Sequence, residues 1–290
     1  MANDSQPDAE SPLDYFARQQ LPPQTGTFVK WGAVLVGLVV LFVLLSFFRG
    51  IYTDLLWYDT LGFRSVYVKI LFTRVLLFVI GAAVVGALLG ATLYFANRLS
   101  RGPVEQPLAP ETIALLRKLL LGGSVLVVVI FGIIFGSVLA AKWEVFLRFS
   151  NAASFGQIDP VFGKDISFYM FKLPAYDFLQ GWALGAGIVL LAGTLGMYFV
   201  GYSVRGVRFE LSSGLKLHVS IIAAAIMLVL AMGHWLDRWE LVLSDHEAIF
   251  GATYTDINAR KPAMLVLTIV AVASSVLMLA NAYVQGLRLL

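Results

Sequence analysis

Long apolar runs alternate with shorter polar connections along this chain, at 30–48, 70–96, 119–141, 178–201, 217–235 and 263–285. A helix needs about 20 apolar residues to cross about 30 Å of hydrocarbon, and each run reaches or nearly reaches that length. The pattern predicts an all-α polytopic membrane helix bundle over 28–290, with about six transmembrane helices and short interfacial helices in the outer connections. The fifth run is the shortest, because its stretch free of ionisable side chains extends only from Val219 to Gly233. Lys216 and His218 are expected to snorkel to the interface at one end of it while Trp235 anchors the other. The second run is expected to begin with an interfacial turn around Lys69 to Arg74.

Residues 1–27 break the pattern. Asp4, Asp8, Glu10 and Asp14, with Pro7, Pro12, Pro22 and Pro23, predict a disordered cytoplasmic tail. The tail has no basic start, short apolar core or small-residue cleavage site, so the first span is expected to stay in the mature protein. Arg98, Arg101, Arg117, Lys118, Arg205, Arg208 and Lys216 crowd the connections 97–118 and 202–216. Positive charge marks the cytoplasmic side. The N-terminus is therefore expected inside, and the connections 49–69, 142–177 and 236–262 outside.

Composition agrees: 59% of residues are hydrophobic and 13% charged, against roughly a quarter charged in soluble domains. The net charge of +3 comes from basic residues standing singly or in pairs at the ends of apolar runs. That placement fits membrane flanks and not nucleic acid. The absence of cysteine removes disulfides, thiolate nucleophiles, iron–sulfur sites and cysteine-ligated zinc. The apolar cores of the runs hold no Asp, Glu, Lys, Arg or His, which makes an ion-coupled pump a poor fit. Small residues do recur at four-residue spacing: Ala82, Gly86 and Gly90; Gly132, Gly136 and Ala140; Gly181 and Gly185. Such rows predict close helix packing.

The outer connections carry the side-chain complexity. In "RGIYTDLLWYDTLGFRSVYVK", Tyr52, Leu55, Leu56 and Tyr58 or Asp59 recur at helical spacing before Gly62, predicting an interfacial turn anchored by Trp57 and Tyr58. In "KWEVFLRFSNAAS", Trp143, Phe146, Leu147 and Ser150 share a helical face and Glu144 can pair with Arg148. The next stretch, "DPVFGKDISFYMFKLP", starts with a turn at Asp159 and Pro160, has a permissive backbone at Gly163, and closes at Pro174. Its "ISFYMFKL" reads as either a short strand or an interfacial coil. Phe162, Phe168, Tyr169 and Phe171 are expected to wedge against headgroups or neighbouring loops, with Lys164 and Asp165 facing water or paired across a cap. In the third connection, Trp235 and Trp239, and His234 and Arg238, predict that the fifth helix continues to about Leu243.

Asp237, Glu240, Asp245, His246, Glu247, Asp256 and Asn258 offer oxygen and imidazole donors. Yet they lack HExxH, EF-hand or paired-histidine spacing, so no metal is expected. There is no GxSxG, P-loop or GxGxxG, and His246 between Asp245 and Glu247 does not make a triad by adjacency. No catalytic residue and no cofactor are expected. The candidate site is instead an interaction surface: Asp159, Phe162, Lys164, Asp165, Tyr169, Asp237, Arg238, Tyr254, Asp256, Asn258 and Arg260.

Four stretches, "DLLWYDTLGFRSVY" (54–67), "DPVFGKDISFYMFKLP" (159–174), "WLDRWEL" (235–241) and "GATYTDINARKPA" (251–263), resemble in order and spacing the uncharacterised protein family UPF0182. The resemblance covers essentially everything from about residue 30 onward. It implies a multi-pass protein of the bacterial plasma membrane with a cytoplasmic N-terminus, about seven helices, and a large domain outside the membrane after the last. By that pattern a seventh helix and the outer domain lie beyond Leu290, and the chain is expected to be a fragment, a truncated product or a split subunit. The family has no established activity, so no functional residues carry over.

The leading expectation is a non-enzymatic membrane module whose outer loops gather into a cap that docks a protein partner or the outer domain. Its other partner is the lipid bilayer. The alternative is a channel or transporter for an apolar or lipidic substrate, which predicts a lateral or central cavity lined by Gly- and Ala-rich faces. An outward-facing enzyme using the acidic loop at His246 is the third reading.

Overall fold

The computed structural model describes residues 25–100, 110–205, 212–245 and 250–287. The described residues form helices joined by turns, with two isolated antiparallel bridges and no strand. The helices are α1 (Thr25–Thr60), α2 (Arg64–Leu99), α3 (Pro110–Ala141), α4 (Trp143–Ser150), α5 (Leu173–Arg205), α6 (Ser213–Glu240) and α7 (Lys261–Leu287). Among the described residues, α2, α3, α5, α6 and α7 are long and apolar enough to cross a membrane. The expected run at 30–48 lies inside α1. Most of the tail expected to be disordered, residues 1–24, lies outside the described residues.

The chain divides into two compact units, Met1–Lys69 and Ile70–Leu290. In the first, α1 does not stop at the end of its apolar run but continues through the connection that the sequence assigned to a separate interfacial turn. Its end is set by Gly62 at φ 76°, a left-handed conformation that costs a residue without Cβ nothing. Phe63 N–H donates to Tyr58 C=O (2.8 Å) and Gly62 N–H to Asp59 C=O (3.0 Å), a Schellman termination. The chain then reverses, and Tyr67 stacks on Tyr58 at 5.1 Å between ring centroids. The second helix runs unbroken from Arg64, so the turn expected at Lys69 to Arg74 is helix.

In the second unit, α2 buries Leu77, Gly81, Val85, Leu89, Leu93 and Ala96, one residue per turn along one stripe. The stripe meets α3 at a crossing too close for larger residues. A Cβ on Gly136 would lie 2.7 Å from the Phe78 carbonyl oxygen and 3.1 Å from the Ala82 Cβ, and one on Gly81 would lie 3.1 Å from the Gly136 Cα. Ala82, Gly132 and Gly136 thus pack as their spacing predicts, whereas Gly181 faces open space. Trp182 ties α5 to α3, its indole N–H donating to Phe135 C=O at 3.1 Å.

Polar groups join the remaining helices, as they do where no hydrophobic effect separates helix from lipid. Gln180 donates to Val229 C=O (3.1 Å), Ser275 to Ala224 C=O (2.9 Å) and Asn281 to the Ser220 hydroxyl (2.7 Å). His218 does not snorkel. It is only 9% exposed and meets the Tyr198 ring at 6.1 Å, because it shares the α5-facing stripe of α6 with Leu215 and Ile222.

Candidate functional site

The connections 142–177 and 236–262 lie together at one end of the second unit, the loop face. The first opens with α4, the helix its spacing predicts, carrying the Glu144–Arg148 ion pair. Phe146 meets Phe178 edge-on at 6.1 Å and Phe149 meets Tyr176 at 5.6 Å, seating α4 on the start of α5. Arg74 of α2 lies over the Trp143 ring at 5.0 Å.

Two aspartates then shape the stretch 152–172. Asp159 accepts from the backbone N–H of Val161 (3.0 Å) and Phe162 (2.6 Å), the side-chain-to-backbone bonding of an Asx turn. Its Oδ2 also accepts from the Tyr169 hydroxyl (2.9 Å). Gly163 at φ 64° lets the chain turn back, so that Asp159 N–H reaches Lys164 C=O at 2.8 Å and Ile158 bridges to Asp165. Asp165 is the N-cap of the next helix, accepting from Ser167 N–H (2.8 Å). It also gathers the Ser154 hydroxyl (2.5 Å) and the N–H groups of Phe155 (3.1 Å) and Gly156 (2.9 Å). These bonds, Ser154's first, hold its carboxyl well below the usual carboxylate range.

The "ISFYMFKL" segment is neither strand nor coil. It is helical from Ile166, with a wide π turn over Phe168–Lys172 that runs straight into α5. Proline lacks an N–H and its ring collides with the carbonyl four residues back. A wide turn ending just before Leu173-Pro174 relieves that conflict. The same device recurs at the start of α7, where a π turn over Asp256–Arg260 precedes Lys261-Pro262.

In the third connection α6 continues to Glu240 and a 3₁₀ turn reaches Leu243, as its tryptophan spacing predicts. Trp239 meets Trp235 at 6.2 Å and Phe168 at 5.0 Å. Tyr169, Leu173 and Leu236 form a buried cluster beside them. Arg238 lies 3.5 Å over the Trp235 ring, and Asp237 sits 3.5 Å from His234. Thr253 and Asp256 form a reciprocal capping box: Thr253 N–H donates to Asp256 Oδ2 (2.9 Å) and Asp256 N–H to the Thr253 hydroxyl (3.3 Å). Arg260 donates to the other Asp256 oxygen at 2.9 Å, and Asn258 to Tyr254 C=O at 2.9 Å. Lys261 closes the assembly, lying 4.6 Å over the Phe162 ring.

The candidate residues thus fall into two roles. Asp159 (4% exposed), Tyr169 and Asp256 (1% exposed) are buried and fix the loops from within, so they offer nothing to a partner. Asp165 staples its own loop, and Lys164 lies 5.8 Å over the Phe168 ring. Phe162, Asp237, Arg238, Asn258 and Arg260 are partly or wholly exposed on this framework. Tyr254, 83% exposed, stands out from it. Ile158, Met170 (58% exposed) and Phe250 (78% exposed) are surface residues that sequence reasoning missed. Ile158 precedes the Asp159-Pro160 turn and Phe250 precedes Gly251 at φ 109°, turn residues that a sequence shows, whereas Met170 carries no such signal. His246 and Glu247 lie outside the described residues, and no metal-holding cluster of His, Asp or Glu occurs among the described residues.

The chain matches the model of the uncharacterised protein family (UPF0182) over residues 31–290. It is 35% identical over 266 residues to a UPF0182 protein of Salinispora tropica, covering 88% of this chain and 27% of that relative. A UPF0182 protein of Saccharopolyspora erythraea is 35% identical over 269 residues, with 88% and 28% covered. One from Paenarthrobacter aurescens is 32% identical over 299 residues, with 98% and 28% covered. The chain therefore spans only about a quarter of the length of these curated relatives. No solved structure matches it.

Proposed function

The chain belongs to the uncharacterised protein family UPF0182, and on that premise we propose that it is a non-enzymatic membrane module whose loop face is a docking seat. The occupant we propose is the polypeptide that makes up the rest of the longer relatives. The carrying observation is the pairing of a fixed framework with exposed apolar side chains. Asp159 and Asp256, both buried, lock the loops, while Met170, Phe250 and Tyr254 project from them. Apolar groups on a rigid support lose little entropy on binding, which favours interface use. The helix interior is filled by Leu89, Tyr198 and Leu215, which favours docking over a central passage.

The basic connections 97–118 and 202–216 support a cytoplasmic N-terminus in the bacterial plasma membrane, with the loop face outside. The test is co-expression of the chain with the remaining segment of a full-length relative, followed by affinity purification in mild detergent. Retention of that segment, reduced by joint replacement of Met170, Phe250 and Tyr254 with serine, is the expected result. Recovery of the chain alone and monomeric removes the basis of the proposal.

A further inference from the structure

Helices α2 and α3 touch at one level and part at another. At Gly81 and Gly136 their backbones meet. One turn on, a Cβ at Gly86 would lie 3.8 Å from the Val128 side chain, and at Gly90 the same distance is 4.0 Å. From Gly90 and Leu93 onward a cleft of about 280 Å³ opens between Tyr94 and Asn97 on one side and Ser124 and Val128 on the other.

The cleft is almost wholly apolar. Its Ser124 hydroxyl already donates to Leu120 C=O at 2.7 Å, so it offers little to a polar solute. Away from Tyr94, Asn97 and Ser124 water would lack partners, and an empty cleft would forfeit dispersion contacts along both walls. At membrane depth the available filler is an acyl chain. The open end supplies the rest of the recognition. Arg98 follows Asn97 on α2, and Arg117 lies one turn before Leu121, a cleft residue of α3, with Lys118 beside it. All three are exposed, and none forms a salt bridge with a described acidic residue. Both apolar runs end at this level, where headgroups lie.

We propose that the α2–α3 cleft holds an acyl chain of an anionic phospholipid, with the headgroup phosphate against Arg98, Arg117 and Lys118. The site does not depend on the docking reading of the loop face.

The test uses the delipidated 290-residue chain in maltoside detergent, titrated with phosphatidylglycerol or phosphatidylcholine of the same acyl composition and read by native mass spectrometry. Phosphatidylglycerol is expected to bind on the order of tenfold more tightly. Joint Arg98→Gln, Arg117→Gln and Lys118→Gln substitution is expected to bring the two lipids level. A second readout needs no variant: phosphatidylglycerol with a photoactivatable acyl chain, in mixed vesicles with phosphatidylcholine, is expected to label peptides containing 90–97 and 121–129. Equal binding of the two lipids by the unmodified chain overturns the proposal, as does labelling spread evenly over α5 to α7. Disulfide cross-linking between Tyr94→Cys copies also overturns it, because a second copy then fills the cleft.

Discussion

The Tyr169 hydroxyl donates to Oδ2 of Asp159 across 2.9 Å, fastening the first turn of a membrane helix to the loop ten residues before it. Both residues are buried, so the bond is shielded from water and its loss leaves the carboxylate short of a partner. Tyr169→Phe is expected to lower stability by about 1.5–3 kcal/mol, seen as a lower thermal unfolding midpoint in detergent. An unchanged midpoint would show that the bond does not hold the loop.

The capping box at the start of α7 makes a parallel prediction. Thr253→Ala removes both bonds of the hydroxyl, the one it accepts from the Asp256 N–H and the one it donates to Asp256 Oδ2, and is expected to cost about 1 kcal/mol. Asp256→Ala is expected to cost more, since it removes a buried carboxylate that accepts from both Thr253 and Arg260. Hydrogen exchange over the first turns of α7 reads the effect locally, and equal protection in both variants and the parent chain would contradict it.

Helix packing predicts a contrast between two glycines that the sequence treats alike. Gly136→Ala forces a Cβ to 2.7 Å from the Phe78 carbonyl oxygen, and overpacking of this kind costs about 1–3 kcal/mol. Gly181→Ala meets nothing within 4 Å and is expected to be neutral or slightly stabilising, as a helix favours alanine. Thermal melts of the two variants compare them directly.

Acid should leave the 154–167 loop formed longer than an ordinary carboxylate would allow. Asp165 has a folded-state pKa below its unfolded value of about 3.9, so its contribution is complete above that value. It is lost progressively as pH falls from there through the depressed folded value. Ser154→Ala removes the largest cause and shifts that loss to higher pH. Limited proteolysis between Phe155 and Ser167 across an acid series reads the change, and coincident profiles would contradict it.

Much of this architecture is legible in the sequence, because span length, Gly62 and the tryptophan spacing each act through local rules. Gly62 ends α1 by its own backbone freedom, and Trp235 and Trp239 mark a helix that leaves the apolar run. Other features needed tertiary information. His218 sits at a span end, where snorkelling is the local expectation, yet its neighbours on α5 bury it. Asp165 and Pro174 bracket a helix start, but the aromatic run between them hides the helical period and the π turn shifts it. Asp159 and Asp256 resemble surface acids because a sequence does not show which backbone N–H groups converge on a carboxylate.

The docking account turns on what meets Tyr254, the most exposed aromatic of the loop face. The decisive measurement places a photo-crosslinking amino acid at the equivalent of Tyr254 in a full-length relative, in intact cells, and identifies the product by peptide mass spectrometry. The account predicts an intramolecular cross-link to a peptide outside the quarter of the protein matched by this chain. Adducts only with lipid, or no adduct at all, would contradict it.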